Sequence, residues 1–109
     1  MNEEQYWIIE VEDFTNRPQR RVGRGHYLQY YPPGIEGAVA EIVFTDPEDA
    51  KQYAAQACNS EHMIWSVVFV GNRSDLGIAI QQSIPTKTHV LLDPEYGDEE
   101  ASLQPIVWQ

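Results

Sequence analysis

Residues 45–59 read Thr-Asp-Pro-Glu-Asp-Ala-Lys-Gln-Tyr-Ala-Ala-Gln-Ala-Cys-Asn, and the fold is decided by how this stretch is read. Thr45 or Asp46 is placed to cap a helix, and Pro47 suits its first position, where no N–H is needed. Glu48 and Asp49 put negative charge against the exposed amides of the first turn. Ala50, Tyr53, Ala54, Ala57 and Cys58 then fall at the i, i+3, i+4, i+7, i+8 spacing of one apolar face, while Lys51, Gln52 and Gln56 point elsewhere. The pattern predicts a helix over residues 47–58 that lays a narrow alanine face on a sheet, with Asn59 as a left-handed terminating residue.

Strands are predicted on both sides of that helix. Residues 38–44 are strand-like. Residues 62–70 are apolar in both registers, Met63, Trp65, Val67 and Phe69 alternating with Ile64, Val68 and Val70, as expected of a central strand covered on both faces. Near the start, Trp7, Ile9 and Val11 alternate with a register that turns polar at Glu10 and Glu12, the period of a half-buried strand. A returning strand over residues 26–31 is stopped by Pro32-Pro33-Gly34. After a turn at residues 71–75, Leu76, Ile78 and Ile80 alternate with Gly77, Ala79 and Gln81, which favours a hairpin; a short helix over residues 75–83 capped by Ser74 is the competing reading, and Gly77 weighs against it. Residues 88–92 form another short strand, closed by Asp93-Pro94. Strand, strand, strand, helix, hairpin, strand, tail is an α+β order. The expected fold is an antiparallel or mixed sheet of about five to six short strands packed against one principal helix.

The 109 residues, 42% of them hydrophobic, suffice for one core and are read as a single domain spanning residues 1–109. No apolar run approaches the roughly 18 residues of a membrane span, and the N-terminal Met-Asn-Glu-Glu-Gln lacks the basic-then-apolar pattern of a secretory leader. Cys58 is the single cysteine, so no internal disulfide supports the fold. These features set the expectation of a cytoplasmic protein with no membrane association.

Charge is unevenly distributed. The formal net charge is −10, yet residues 14–35 hold no acid and carry Arg17, Arg20, Arg21 and Arg24, four of the seven basic side chains. The remainder is therefore at −14. Pro18, Gly23 and Gly25 make residues 16–25 a mobile basic loop, and Tyr27, Tyr30 and Tyr31 follow it. Guanidinium groups beside flat phenol rings combine bidentate hydrogen bonding with stacking. Strand alternation sets Tyr27 and Tyr31 on the face opposite Tyr30, which leaves at least one ring for contact while another supports the core. Arg17, Arg20, Arg21, Arg24, Tyr27, Tyr30 and Tyr31 are the expected partner-binding residues. The bland alternative is that these arginines neutralise the protein's own carboxylates. Asp98, Glu99 and Glu100, beside Gly97, read as an acidic turn within residues 95–102, a solvated strip that contributes little to folding.

Motifs for catalysis and cofactors are weak. Cys58 and His62 have an i, i+4 spacing, but the helix is expected to end between them, and His26 and His89 have no reason to converge there; a buried core cysteine is preferred to a metal ligand. No hydrolase elbow, phosphate loop or dinucleotide motif is present. The expectation is therefore no catalytic residue, no metal and no cofactor. In their place stands a non-catalytic protein-binding module, an adaptor or inhibitor. Its acidic surface would mimic nucleic-acid phosphates against a larger, nucleic-acid-handling protein, in the manner of small phage- or mobile-element-type inhibitors. That analogy is one of size and charge alone. Direct single-stranded nucleic-acid binding by the Arg/Tyr segment is the alternative, opposed by the net charge. The apolar tail, Leu103, Ile106, Val107 and Trp108, docks on its own core or on a second copy of the chain.

Overall fold

The structure, a computed structural model, describes residues 4–13, 26–59, 63–82 and 87–106. Its fold is α+β, a mixed sheet with two helices. In chain order the elements are β1 (Tyr6–Asp13), β2 (His26–Tyr27), β3 (Gln29–Tyr30), β4 (Ala40–Phe44), α1 (Pro47–Ala57), β5 (Met63–Gly71), α2 (Arg73–Gln81), β6 (His89–Leu92), a 3-10 helix (Glu99–Ser102) and β7 (Leu103–Pro105).

β1 and β4 are the middle of the sheet. β1 pairs antiparallel with β5 along its whole length and with β4 at one end, Trp7 opposite Phe44 and Ile8 opposite Val43. β4 pairs parallel with β6, and β6 antiparallel with β7. The two short pairs β2 and β3 are wedged where β1 and β4 diverge. β2 holds β1 through Tyr27–Glu10, β3 holds β4 through Tyr30–Ala40, and between them the Leu28 N–H donates to the Ile9 carbonyl at 2.7 Å. Three segments thus meet as a three-way junction, with Ile9, Leu28 and Ile42 at its centre. The returning strand expected over residues 26–31 is the arm that divides itself between two neighbours.

Each helix covers one face. Asp46 caps α1, its Oδ1 accepting from the Glu48 N–H at 2.8 Å, and Pro47 takes the first turn. Ala50, Tyr53, Ala54 and Cys58 join Ile9, Val11, Ala40, Ile42, Phe44 and Leu91 in one core layer. The helix ends at Cys58, whose N–H returns to the Ala54 carbonyl; Asn59 does not adopt the expected left-handed conformation. On the opposite face Leu76 and Ile80 of α2 close over Tyr6, Ile8, Val43 and Val90.

Residues 73–81 are a helix and not the second arm of a hairpin. Asn72 and Asp75 form a reciprocal capping box, each side chain accepting the other's N–H at 3.0 Å, and Leu76 and Ile80 share one side at i, i+4. The entry is tight: Gly71 sits at φ +125°, and a Cβ there would collide with the Asp75 carboxylate. Because α2 exists, β1 is not half-buried. Its second register holds buried Tyr6 and Ile8 before turning polar.

β5 is not central. Among the described residues it pairs with β1 alone, and its Ile64 and Phe69 are 60% and 54% exposed. Its double-register apolar pattern has another cause: Met63, Trp65 and Val67 serve the α1 layer, while Val68 and Val70 serve the α2 layer. Among the described residues no helix is long and apolar enough to cross a membrane.

Candidate functional site

β4 and β6 are parallel and end side by side, and Asp93 joins their ends. Its backbone sits at φ +51°, a conformation that asparagine and aspartate tolerate better than other side chains. Its carboxylate accepts both the Thr45 N–H, at 2.8 Å, and the Thr45 hydroxyl, at 2.7 Å, while its N–H donates to the Val43 carbonyl. The chain then passes through Pro94 and Glu95 to Tyr96, alongside α1.

The result is an open cleft of about 430 Å³ lined by Phe44, Asp49, Gln52, Tyr53, Gln56, Asp93, Pro94, Glu95 and Tyr96. Among the described residues no basic side chain lines it. Its wall is a chain of rings: Phe44 and Tyr53 have centroids 5.5 Å apart, and Tyr53 and Tyr96 meet edge-on at 5.8 Å. The Tyr53 hydroxyl donates to Glu99 Oε2, whose other oxygen takes the Gly97 N–H at 3.1 Å. Burial, and then the Glu99 carboxylate, raise the Tyr53 phenol above the ordinary tyrosine value, so it is held as a donor. Asp49, Glu95 and Tyr96 are exposed at the rim. Carboxylates over phenol faces attract a cation by charge and by ring quadrupole together.

Of the residues singled out in the sequence, the described ones are dispersed. Arg17, Arg20, Arg21 and Arg24, the basic loop at residues 16–25, and His62 lie outside the described residues. Tyr30 packs against the α1 core layer, whereas Tyr27 and Tyr31 are 43% and 61% exposed. Partial burial, then Glu100 and Glu99, raise the Tyr30 phenol, which brings that tyrosine within electrostatic reach of the acidic 3-10 helix. Asp98 and Glu100 are exposed, but Glu99 is a bonded partner of Tyr53 and not part of a free strip. Cys58 is buried, and burial raises its thiol. His89 has its Nδ1 2.8 Å from the Thr88 hydroxyl. Among the described residues no group of three or more His, Cys, Asp or Glu is placed to hold a metal ion.

Asp49, Tyr53, Asp93 and Tyr96 were not picked out as site residues from the sequence. They come together only because β4 and β6 are parallel neighbours, which local periodicity does not reveal. Glu41 was legible and overlooked. It is a charged residue inside Ala-Glu-Ile-Val-Phe, a strand otherwise apolar in both registers, and it is 2% exposed. Comparison of the chain with protein-family models, with curated proteins and with solved structures gave no match.

Proposed function

We propose that this protein is a non-catalytic protein-binding module, an adaptor or inhibitor, that receives a basic segment of a larger partner in the cleft at the ends of β4 and β6. One observation carries the reading: the cleft is walled by Asp49, Asp93 and Glu95 with the rings of Tyr53 and Tyr96, and among the described residues no cation lines it. Lys51–Glu48, on the exposed side of α1, is an ion pair that leaves these carboxylates untouched. An arginine entering the cleft finds a planar acceptor and a stacking surface at once. Proteins that handle nucleic acid expose such arginines, which is the chemistry of phosphate mimicry. The Arg17, Arg20, Arg21 and Arg24 segment supplies a second contact, of opposite sign, to the same partner.

Single-stranded nucleic acid is the second reading, favoured by the exposure of Tyr27 and Tyr31. A titration followed by amide NMR separates the two. An arginine-rich peptide should move the resonances of Gln52, Gln56 and Tyr96 saturably, with affinity falling steeply as salt rises. An oligonucleotide of equal charge should leave them in place. Shifts centred on Tyr27 and Tyr31 with the oligonucleotide, and none with the peptide, reverse the assignment. In the first case, changing Arg20, Arg21 and Arg24 together to Ala should abolish capture of the larger partner while barely moving the unfolding midpoint.

A further inference from the structure

The other face of the sheet holds a second concavity. It has a volume of about 340 Å³ and is lined by Ile8, Val68, Phe69, Val70, Ile78 and Ala79, with Tyr27, Glu41, Asp75 and Gln82 as its polar groups. This volume lies in the range of small-molecule sites, and the balance is the usual one of apolar walls with few polar groups. Glu41 is the anomaly. It alternates with Ala40 and Ile42, so its side chain lies on the α2 side of β4, the side that holds Val43 and Val90. It is almost wholly buried, and its Oε2 has no hydrogen-bond partner. Lys87 favours its ionised form through space but leaves that oxygen unsatisfied. A buried carboxylate oxygen without a donor costs stability unless something fills the position.

We infer that the groove between α2 and the sheet binds a small organic ammonium ion with an apolar body, the ammonium donating to Glu41 and the body lying against Ile8, Val68, Ile78 and Ala79. The unpaired oxygen supplies the direction, because it accepts and cannot donate once ionised. The apolar lining supplies the second half of the specificity, since an inorganic cation would leave it uncovered. An anion is opposed by Glu41 and by Asp75 at the same groove. The site is on the opposite side of the sheet from the acidic cleft and stands independently of it.

The test is methyl NMR on the full chain with three probes of one shape: phenethylammonium, 2-phenylethanol and 3-phenylpropionate. Phenethylammonium should shift the Val68, Val70, Ile78 and Ala79 methyls saturably, and the other two should bind far more weakly. Glu41→Gln, which keeps the shape, should lose roughly thirtyfold or more in affinity for the ammonium, with little change for the alcohol. Ala79→Leu, which fills the groove and leaves Glu41 in place, should weaken the ammonium and the alcohol together. Equal binding of ammonium and alcohol, undiminished binding by either variant, or no saturable shift with any probe overturns the inference. A capped tripeptide with a central lysine that produces the same shifts more tightly than phenethylammonium transfers the ammonium to a protein side chain and overturns the small-molecule assignment.

Discussion

The Tyr53 hydroxyl donates a 2.9 Å hydrogen bond to Glu99 across 46 residues of sequence, and so fastens the 3-10 helix to α1. The acidic strip is therefore divided by this bond into one structural residue and two solvated ones. Tyr53→Phe should cost about 1–2 kcal/mol, because the acceptor is charged and the pair is partly removed from water. Asp98→Asn and Glu100→Gln should each stay within about 0.5 kcal/mol of the parent. Urea unfolding of the three variants checks the division; equal effects at all three positions would refute it.

Ala54 has no exposed surface and stands between α1 and the sheet. Ala54→Glu should cost on the order of 3–5 kcal/mol, since a longer side chain must displace close-packed neighbours and a charge must be buried without a partner. Ala55→Glu, one position away on the exposed side, should be nearly neutral. Thermal unfolding of the pair reads the orientation of the helix directly.

The capping box at the start of α2 predicts a second local pair. Asn72→Ala should cost about 1 kcal/mol through loss of the acceptor for the Asp75 N–H. Gly71→Ala should cost more, because it combines a strained backbone with a collision at Asp75. If hydrogen exchange in Leu76 and Ile80 is unchanged in both variants, the box does not hold the helix.

Burial raises the Glu41 carboxyl from 4.5 to about 7, against the opposing pull of Lys87. Between those values the folded state binds more protons than the unfolded chain, so the contribution to stability is complete below 4.5 and is lost as pH rises through 7. The difference is on the order of 3 kcal/mol. Glu41→Gln should remove this slope, matching the parent near pH 4 and exceeding it near pH 8, as measured by denaturant titration at several pH values. Parallel pH profiles for the two proteins would show that Glu41 does not titrate in this range.

The features legible in the sequence are those set within one or two turns of chain. The Asp46–Pro47 entry and the alanine face of α1 needed no partner to be recognised, and α1 ends within one residue of its expected boundary. Residues 73–81 failed because Leu76, Ile78 and Ile80 satisfy period two while Leu76 and Ile80 also satisfy i, i+4, and Gly77 obscured the choice. The deciding information was the Asn72–Asp75 pair, whose capping residue lies two positions before the Ser74 that was weighed as the cap. β5 failed for a tertiary reason: an edge strand that feeds two core layers reads like a central one. The acidic cleft required knowing that β4 and β6 are parallel, and that pairing spans about half the chain.

The three-way junction around Ile9, Leu28 and Ile42 bears on how the chain reaches its native state. The neighbours of β1 begin at His26, Ala40 and Met63, and the pairing that runs along its whole length is with the last of them, β5. Most of β1's pairing therefore waits for β5, because β2 and β4 each meet it at only two residue pairs, whereas the hydrogen bonds of α1 are local and can form earlier. Closing such long loops before any sheet contact is rewarded slows folding relative to a helical protein of this size. Refolding after denaturant dilution should accordingly protect the β1 amides together with those of β5, in a single late step, and Leu28 no earlier than either.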